Sequence, residues 1–549
     1  MRRAVLACLA LLAAGAFAYT FWSRSLWSPD EGRYAEIGRE MLVSGDWITP
    51  RLDYVRYFEK PALVYWATAA SLGVFGTGEA VARFPVLLSA LAVLALTAWL
   101  GAMVAGRRAG LMAAAMLASC PMFFTMAQFL VLDMPLAALV TAALCASWRG
   151  LSAHAKGDDG WKTWPVVASA LLALGTLTKG PIAVILAGMV LVPALLSRHA
   201  PPLTQVPWLR MLLVYLAITV PWFLLIHRVH PEFTRFFFIH EHWDRYTKPD
   251  HARPGAWWYF LAILAGGFFP WSLLLPATLI ARPRVAPGAL AYLACWAALP
   301  VAFFSLSQSK LPSYILPVFP AVAVWLATAL EPFLEEGGAP TRSLALGSEC
   351  VSLLACAGAV KASTLDAGKY ADLLSIQTPA VAILVLCAIF GVTAAVAFSR
   401  GRVRGGLELL FVLALAGLTS TAAVTHLYEP QKDSRVLADE IKKGRQPGEK
   451  VVIYGTLEAN SALPYYLAEP VIIAGPHKGE LEMAFDAPQG DEAERFITYD
   501  TAYHWMQPGA PRTWFATEIS VYESDFSKTP GLRLHEVRRH GTRVLFTNK

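Results

Sequence analysis

The sequence predicts a polytopic α-helical membrane protein that carries a C-terminal α/β domain, on three observations. Apolar residues make up 56% of the 549-residue chain and charged residues only 16%, where ordinary soluble domains have about 25% charged. Apolar windows of about 20 residues recur over the first 427 positions, each long enough to cross a ~30 Å hydrocarbon layer. From about Tyr428 the composition turns polar, and shorter strand-like runs replace the windows.

The first window, Ala4–Trp22, follows Met1-Arg2-Arg3 and has the look of a signal peptide. Its apolar run continues through Tyr19, Phe21 and Trp22, which favours an uncleaved first span. The stretch Ser28–Lys60 that follows is the loop richest in acids, bases and tyrosines. Ser28-Pro29-Asp30-Glu31 reads as a helix start, with Ser28 as N-cap, Pro29 at the first helical position and Glu31 closing a capping box. Tyr34, Ile37 and Met41 then share one helical face, and Gly45 is a natural stop. The expected element is a short amphipathic helix on the membrane surface. Its acidic pair could serve no more than the helix dipole.

Pro61–Gly78 is apolar but broken by Gly73, Gly76 and Gly78, so it reads as either a span or an interfacial hairpin. The positive-inside rule decides. Arg107-Arg108, Arg149 with Lys156, Arg198, Arg282 with Arg284, and Arg400, Arg402 and Arg404 belong on the cytoplasmic side. They all fall there if 61–78 stays at the interface and about thirteen spans run over 4–23, 83–104, 109–128, 133–149, 163–178, 181–197, 208–227, 257–280, 287–306, 312–330, 343–361, 378–398 and 405–425. The informative polar residues then gather on the opposite face, in a first loop (24–82), a loop at 228–257 and several short turns. Residues 1–427 form the membrane domain. Residues 428–549, with strand-like VVIYG, SALPYYLAEPVIIAG, WFATEISVY and TRVLFTNK, form an α/β domain on that same outer side.

Several classes are disfavoured. The +6 formal charge is spread over topology-setting arginines, and no basic run interleaved with aromatics suggests nucleic-acid binding. The seven cysteines lie in or beside apolar segments, as small core residues do. No P-loop points to an ATP-driven machine, and no paired broken helices point to a transporter.

The candidate site residues are then few. Asp133, at the junction of two apolar runs in AQFLVLDMPLA, is costly within a membrane unless it works or lines a wet cavity; as a helix N-cap it fits equally well. Tyr57-Phe58-Glu59-Lys60-Pro61 sets an acid and a cation at a membrane entry, where Lys60 could snorkel or hold a lipid phosphate. FTRFFFIHEHWDRYTKPDHARPGAWWY alternates aromatics with charges, including His240 and Arg245. An aromatic belt explains its rings but not its His-Glu-His and Asp-Arg. SQSKLPSYILP places Lys310 and Tyr314 four apart at a span start, a pairing suited to phosphate.

The run DEGRYAEIGREMLVSGDWITPRL…YFEKP, the LxDMP-type loop, HEHWDRYT and KLPSYILP together resemble the GT-C membrane glycosyltransferases, including the protein O-mannosyltransferases. They resemble most the lipid A 4-amino-4-deoxy-L-arabinose transferases. The one departure is Ala62, where members of the wider superfamily often carry a second proline. The resemblance implies a GT-C fold and transfer of aminoarabinose from undecaprenyl phosphate to lipid A phosphates at the periplasmic face of a bacterial inner membrane, by a chain acting as a monomer. It maps the family's first-loop acid onto Asp30 and its second acid onto Asp133. Carrier-phosphate contacts map onto Lys60 and Arg245, with Tyr57 and Tyr314 as lesser ones and Lys310 as a further phosphate candidate. A divalent metal, zinc or magnesium, is associated with the site, and Glu59 and His240 match it. Two alternatives stay open from the residues: a related transferase for another sugar acting on protein or polysaccharide, and a flippase for the same lipids.

Overall fold

The computed structural model describes residues 2–197, 200–244, 255–281, 285–336, 341–364, 374–475, 481–526, 529 and 531–549. The chain divides into two compact units. One comprises 1–19, 86–128 and 132–424; the other comprises 20–85, 129–131 and 425–549.

The first unit is helical. Among the described residues of the whole chain, nine helices are long and apolar enough to cross a membrane, or ten if one bent pair counts as a single span. Thirteen were expected. The difference lies at 109–128, 163–178 and 181–197, where the helices are Arg107–Ala118 followed by the short Pro121–Met126, Thr163–Lys179 and Ile182–Leu195. The expected span 257–280 is not straight either: Tyr259–Gly267 and Trp271–Leu279 meet at 110°. Pro270 sits at the break, where it has no N–H to continue the helical ladder.

The apolar faces look outward where lipid would be. Leu209, Leu212, Leu213, Leu216 and Val220 line one exposed stripe of the helix Trp208–Val229, the inverse of a soluble helix. Pro312–Leu330 is the opposite case, with 89% of its apolar window buried. Several buried polar side chains inside this unit find partners, as a low-dielectric interior favours. Tyr292 donates to the Leu144 carbonyl at 2.8 Å, Trp296 to the Pro317 carbonyl at 2.8 Å, and Trp271 to Ser119 Oγ at 2.9 Å.

The helices Glu79–Ala105 and Arg107–Ala118 cross at two glycines. A Cβ on Gly110 would lie 2.2 Å from the Ala98 carbonyl oxygen and 2.8 Å from the Ala102 nitrogen, both backbone atoms that cannot rotate away. Gly110→Val is therefore expected to lower stability by about 2 kcal/mol or more, read as a lower midpoint of thermal unfolding in detergent. An unchanged midpoint would show that this crossing tolerates separation.

The second unit joins the first loop to the C-terminal domain. Its helix Asp30–Ser44 ends at Gly45, in the left-handed region at φ 71°, as the sequence suggests. It is not an amphipathic helix lying on a surface. Glu31 through Met41 are all buried, charges included. Part of the buried charge is paired within the helix, with Arg39 donating twice to Glu36 at 2.7 Å. A Cβ on Gly32 would lie 2.4 Å from the Ala462 nitrogen, so this helix meets the C-terminal domain backbone to backbone. Leu63–Phe75 is a 13-residue apolar helix, ~20 Å long at 1.5 Å per residue and too short to cross the membrane upright.

The C-terminal domain is built on six strands. Two further strands, β1 (Arg51–Leu52) and β2 (Val55–Arg56), form an antiparallel hairpin in the first loop. In the domain, β3 (Lys450–Tyr454), β4 (Ile472–Ala474), β5 (Phe496–Ile497), β6 (Thr513–Glu518), β7 (His535–His540) and β8 (Arg543–Thr547) pair in the order β5-β4-β3-β6-β8-β7. The first four are parallel; β8 is antiparallel to both β6 and β7. SALPYYL and ISVY prove helical, at Leu463–Leu467 and Ile519–Asp525. The strand β7, HEVRRH, escapes a hydrophobic reading because it is an exposed edge. Phe515, Tyr522, Phe526 and Phe546 centre the core.

Candidate active site

The acidic pair Asp30-Glu31 divides into two different environments. Ser28 does not cap the helix: the N-cap is Pro29 with no side-chain cap bond, and Ser28 Oγ accepts from the Ala462 N–H at 3.4 Å. Glu31 does not close a capping box with it. Its side chain is 1% exposed and takes donors from four residues. These are Arg24 (the longer contact 3.0 Å), Arg83 (2.7 and 3.2 Å) and the N–H groups of Trp27 (3.1 Å) and Leu130 (3.0 Å). Burial by itself would raise the Glu31 pKa, but the two guanidiniums outweigh it and hold the carboxyl at about 2. Glu31 is thus a structural anion. Asp30, one residue earlier, pairs with Arg33 and keeps its side chain 50% exposed. It is the acid able to meet a ligand.

Beyond the hairpin, the chain runs through Tyr57-Phe58-Glu59-Lys60. Tyr57 is wholly buried. Its hydroxyl donates to Glu59 at 2.9 Å and accepts from Arg33 at 3.4 Å. Burial raises its pKa, which keeps the hydroxyl protonated and donating. Lys60 donates to the Glu59 carbonyl at 2.8 Å and lies 3.7 Å from the Glu59 carboxylate. Arg33 approaches the same carboxylate at 4.0 Å. Asp30, Arg33, Tyr57, Glu59 and Lys60 therefore form one chain of contacts, in which Glu59 is the shared anion. Arg33 escaped the sequence reading, although its place three residues after Asp30 on a helix was the available signal.

In the helical unit, Asp133 opens the helix Asp133–Ala155, whose N-cap is Leu132. Its carboxylate does not cap that helix but pairs with Lys179 at 2.6 Å. Lys179 ends the helix Thr163–Lys179 and also lies 5.0 Å from the centroid of the Tyr314 ring. Tyr314 packs on Phe304 and Phe260. Sequence reasoning singled out Asp133 and Tyr314 but passed over Lys179, the cation that joins them. A membrane-level acid requires such a partner. Lys310 is 8% exposed and donates to the Ser307 carbonyl at 2.5 Å, satisfying the end of the helix Pro287–Leu306.

His240 lies on the π-helical stretch Phe236–Asp244 and stacks on Phe236 at 5.1 Å. Arg245 lies outside the described residues. Among the described residues no group of three or more His, Cys, Asp or Glu is gathered to hold a metal. The Glu59 carboxylate already takes a hydrogen bond from Tyr57 and faces two cations. Among the described residues this donor set does not make a metal cage.

The region 4–237 matches the family model of dolichyl-phosphate-mannose-protein mannosyltransferases. An undecaprenyl phosphate-α-4-amino-4-deoxy-L-arabinose arabinosyl transferase from Edwardsiella ictaluri is 33% identical over 330 residues, and the match spans 58% of each chain. A second from Sodalis glossinidius is 31% identical over 540 residues, covering 95% of this chain and 94% of its own. The crystal structure of ArnT from Cupriavidus metallidurans bound to undecaprenyl phosphate is 29% identical and superposes with a TM-score of 0.81, over 99% of this chain and 98% of that one. With similarity at this level running nearly end to end, the chain belongs to the family of undecaprenyl phosphate-α-4-amino-4-deoxy-L-arabinose arabinosyl transferases.

Proposed function

We propose that this multi-pass membrane protein is a glycosyltransferase that moves 4-amino-4-deoxy-L-arabinose from undecaprenyl phosphate to phosphate groups of lipid A, at the periplasmic face of the inner membrane. The observation that carries this reading is the near-complete structural match to a relative solved with undecaprenyl phosphate. The cation-rich stretch around Lys60 and Arg33 supports it, since a departing phosphate needs such partners.

In the proposed reaction, an oxygen of a lipid A phosphate attacks C1 of the sugar and the bond from C1 to the carrier phosphate breaks. One phosphomonoester becomes a diester and one diester becomes a monoester, so the total charge and the proton count are unchanged. No general base is needed, unlike attack by a hydroxyl. What the enzyme must supply is electrostatic. Lys60, with Arg245, stabilises the charge growing on the leaving phosphate. Asp30 faces the sugar, where a carboxylate favours both positive charge at C1 and the ammonium at C4. Asp133, paired with Lys179, is the second acid of the proposed set. Direct displacement gives inversion at C1. No step is routed through a metal.

Purified protein in lipid, given undecaprenyl-phosphate-aminoarabinose and lipid A, is expected to add one or two aminoarabinose units, read by the mass of lipid A. Transfer only from a different polyprenyl-phosphate sugar would discard the substrate assignment. Lys60→Ala is expected to weaken carrier binding at least tenfold, as loss of a charge-assisted contact implies. Carrier affinity equal to wild type would move the phosphate site elsewhere, with Lys310 next in line.

A further inference from the structure

The C-terminal domain grips the segment that leads into the proposed carrier-phosphate site. The hairpin β1–β2 ends at Arg56, four residues before Lys60, and Arg56 is 2% exposed. Its guanidinium meets Glu492 of the C-terminal domain in a two-pronged pair. Nε lies 2.9 and 3.0 Å from the two carboxylate oxygens, and Nη2 lies 2.9 Å from one of them. The Arg56 N–H donates to the same carboxylate at 3.0 Å, and Nη2 also donates to the Ala487 carbonyl at 2.5 Å. Glu492 is itself fixed, accepting from the Gln489 N–H at 2.8 Å, and is 3% exposed.

The turn of the hairpin is gripped as well. Asp53 and Tyr54 both have positive φ, 56° and 62°, a two-residue turn that usually recruits Asn-Gly. Neither residue is glycine, and the conformation costs energy unless its surroundings hold it. Asp53 accepts the Val471 N–H of the C-terminal domain at 2.8 Å, and the Tyr54 N–H donates to Glu40 at 2.9 Å. Directly after the hairpin, the Tyr57 N–H donates to the Pro50 carbonyl at 2.9 Å, which carries the register of the hairpin into Tyr57-Phe58-Glu59-Lys60. A mere cap over the membrane part requires no buried, hydrogen-bonded ion pair at this one place.

We propose that the C-terminal domain positions the carrier-phosphate segment Tyr57–Lys60 through the Arg56–Glu492 clasp, with Arg56 and Glu492 as positioning residues. The inference rests on the carrier-binding reading given above and assigns the domain a part in it. Removal of the charge on Glu492 loosens the hairpin and lets Lys60 drift from the place where a phosphate would sit.

The test is equilibrium binding of undecaprenyl phosphate to the full-length protein in lipid nanodiscs, for wild type, Glu492→Gln, Lys60→Ala and the double variant. Glu492→Gln is expected to weaken binding about tenfold, and the double variant is expected to bind no more weakly than Lys60→Ala alone, because both changes act through Lys60. Glu492→Asp, which keeps the charge but is one methylene shorter, is expected to fall between Glu492→Gln and wild type; it serves alone with Lys60→Ala if Glu492→Gln does not fold. Wild-type affinity in the Glu492 variants, or losses that simply add to that of Lys60→Ala, would overturn the proposal while leaving the function intact. A wild-type protein that binds no undecaprenyl phosphate would overturn the functional reading itself, and this inference with it.

Discussion

Asp30→Asn is expected to reduce transfer at least about a hundredfold, the scale of losing one preorganised electrostatic group at a reacting centre, without disturbing the fold. The two halves of that expectation have separate causes. Asp30 is half exposed and pairs, among the described residues, with Arg33, its neighbour on the same helix. An amide of the same shape removes the charge facing the buried Arg33, but Arg33 keeps the Glu59 carboxylate at 4.0 Å and the Tyr57 hydroxyl at 3.4 Å. The chemistry is another matter, because the proposed reaction moves no proton and depends on charge placement alone. An Asp30→Asn protein with wild-type turnover and a wild-type melting temperature would remove Asp30 from the mechanism. The neighbouring acid gives the contrast.

Glu31→Gln is expected to damage the fold first. It leaves Arg24 and Arg83, 1% and 0% exposed at their side chains, sharing a neutral partner. Breaking a buried pair in this way costs about 3–5 kcal/mol, enough to lower the melting temperature sharply and to lose activity with it. The same group gives a pH dependence. The Glu31 pKa is depressed on folding, from an ordinary value of 4.5 to about 2. Its contribution to stability is therefore fully present above about pH 4.5 and is lost as the pH falls toward 2. The shift corresponds to ~3 kcal/mol. Wild type should lose stability steeply over that window, while Glu31→Gln, already deprived of the anion, should show a flatter profile. Equal slopes for the two proteins would mean that the acid sensitivity resides in other carboxylates.

The membrane architecture was legible because it depends on composition and length. A run of apolar residues long enough for the bilayer crosses it whatever its neighbours do, so Glu79–Ala105, Trp208–Val229 and Val403–Tyr428 stand near their expected places. The runs depart from straight, unbroken helices where the chain is interrupted, at Ser119-Cys120-Pro121 and at Pro270. The positions of the candidate polar residues were partly legible as well. Acids and cations at membrane boundaries are expensive, so Asp30, Asp133, Glu59 and Lys60 announce themselves.

Their partners did not. Arg33, Lys179 and Arg83 are ordinary cations in the sequence, and what each does depends on which carboxylate the fold brings within about 3 Å, a separation at which a pair is strong and beyond which it fades. The division of labour between Asp30 and Glu31 has the same origin, since two adjacent acids on a helix point some 100° apart and only packing decides which of them is buried. The tie between the first loop and the C-terminal domain, more than 400 residues apart along the chain at Arg56 and Glu492, is invisible to any local pattern. The sequence by itself determined that this chain crosses a membrane repeatedly and gathers polar residues at the span ends, because hydrophobicity and spacing are local properties. The tertiary structure alone decided which acid is structural, which cation each acid meets and what the C-terminal domain holds in place, because burial and ion pairing are properties of the distance between residues far apart in the chain.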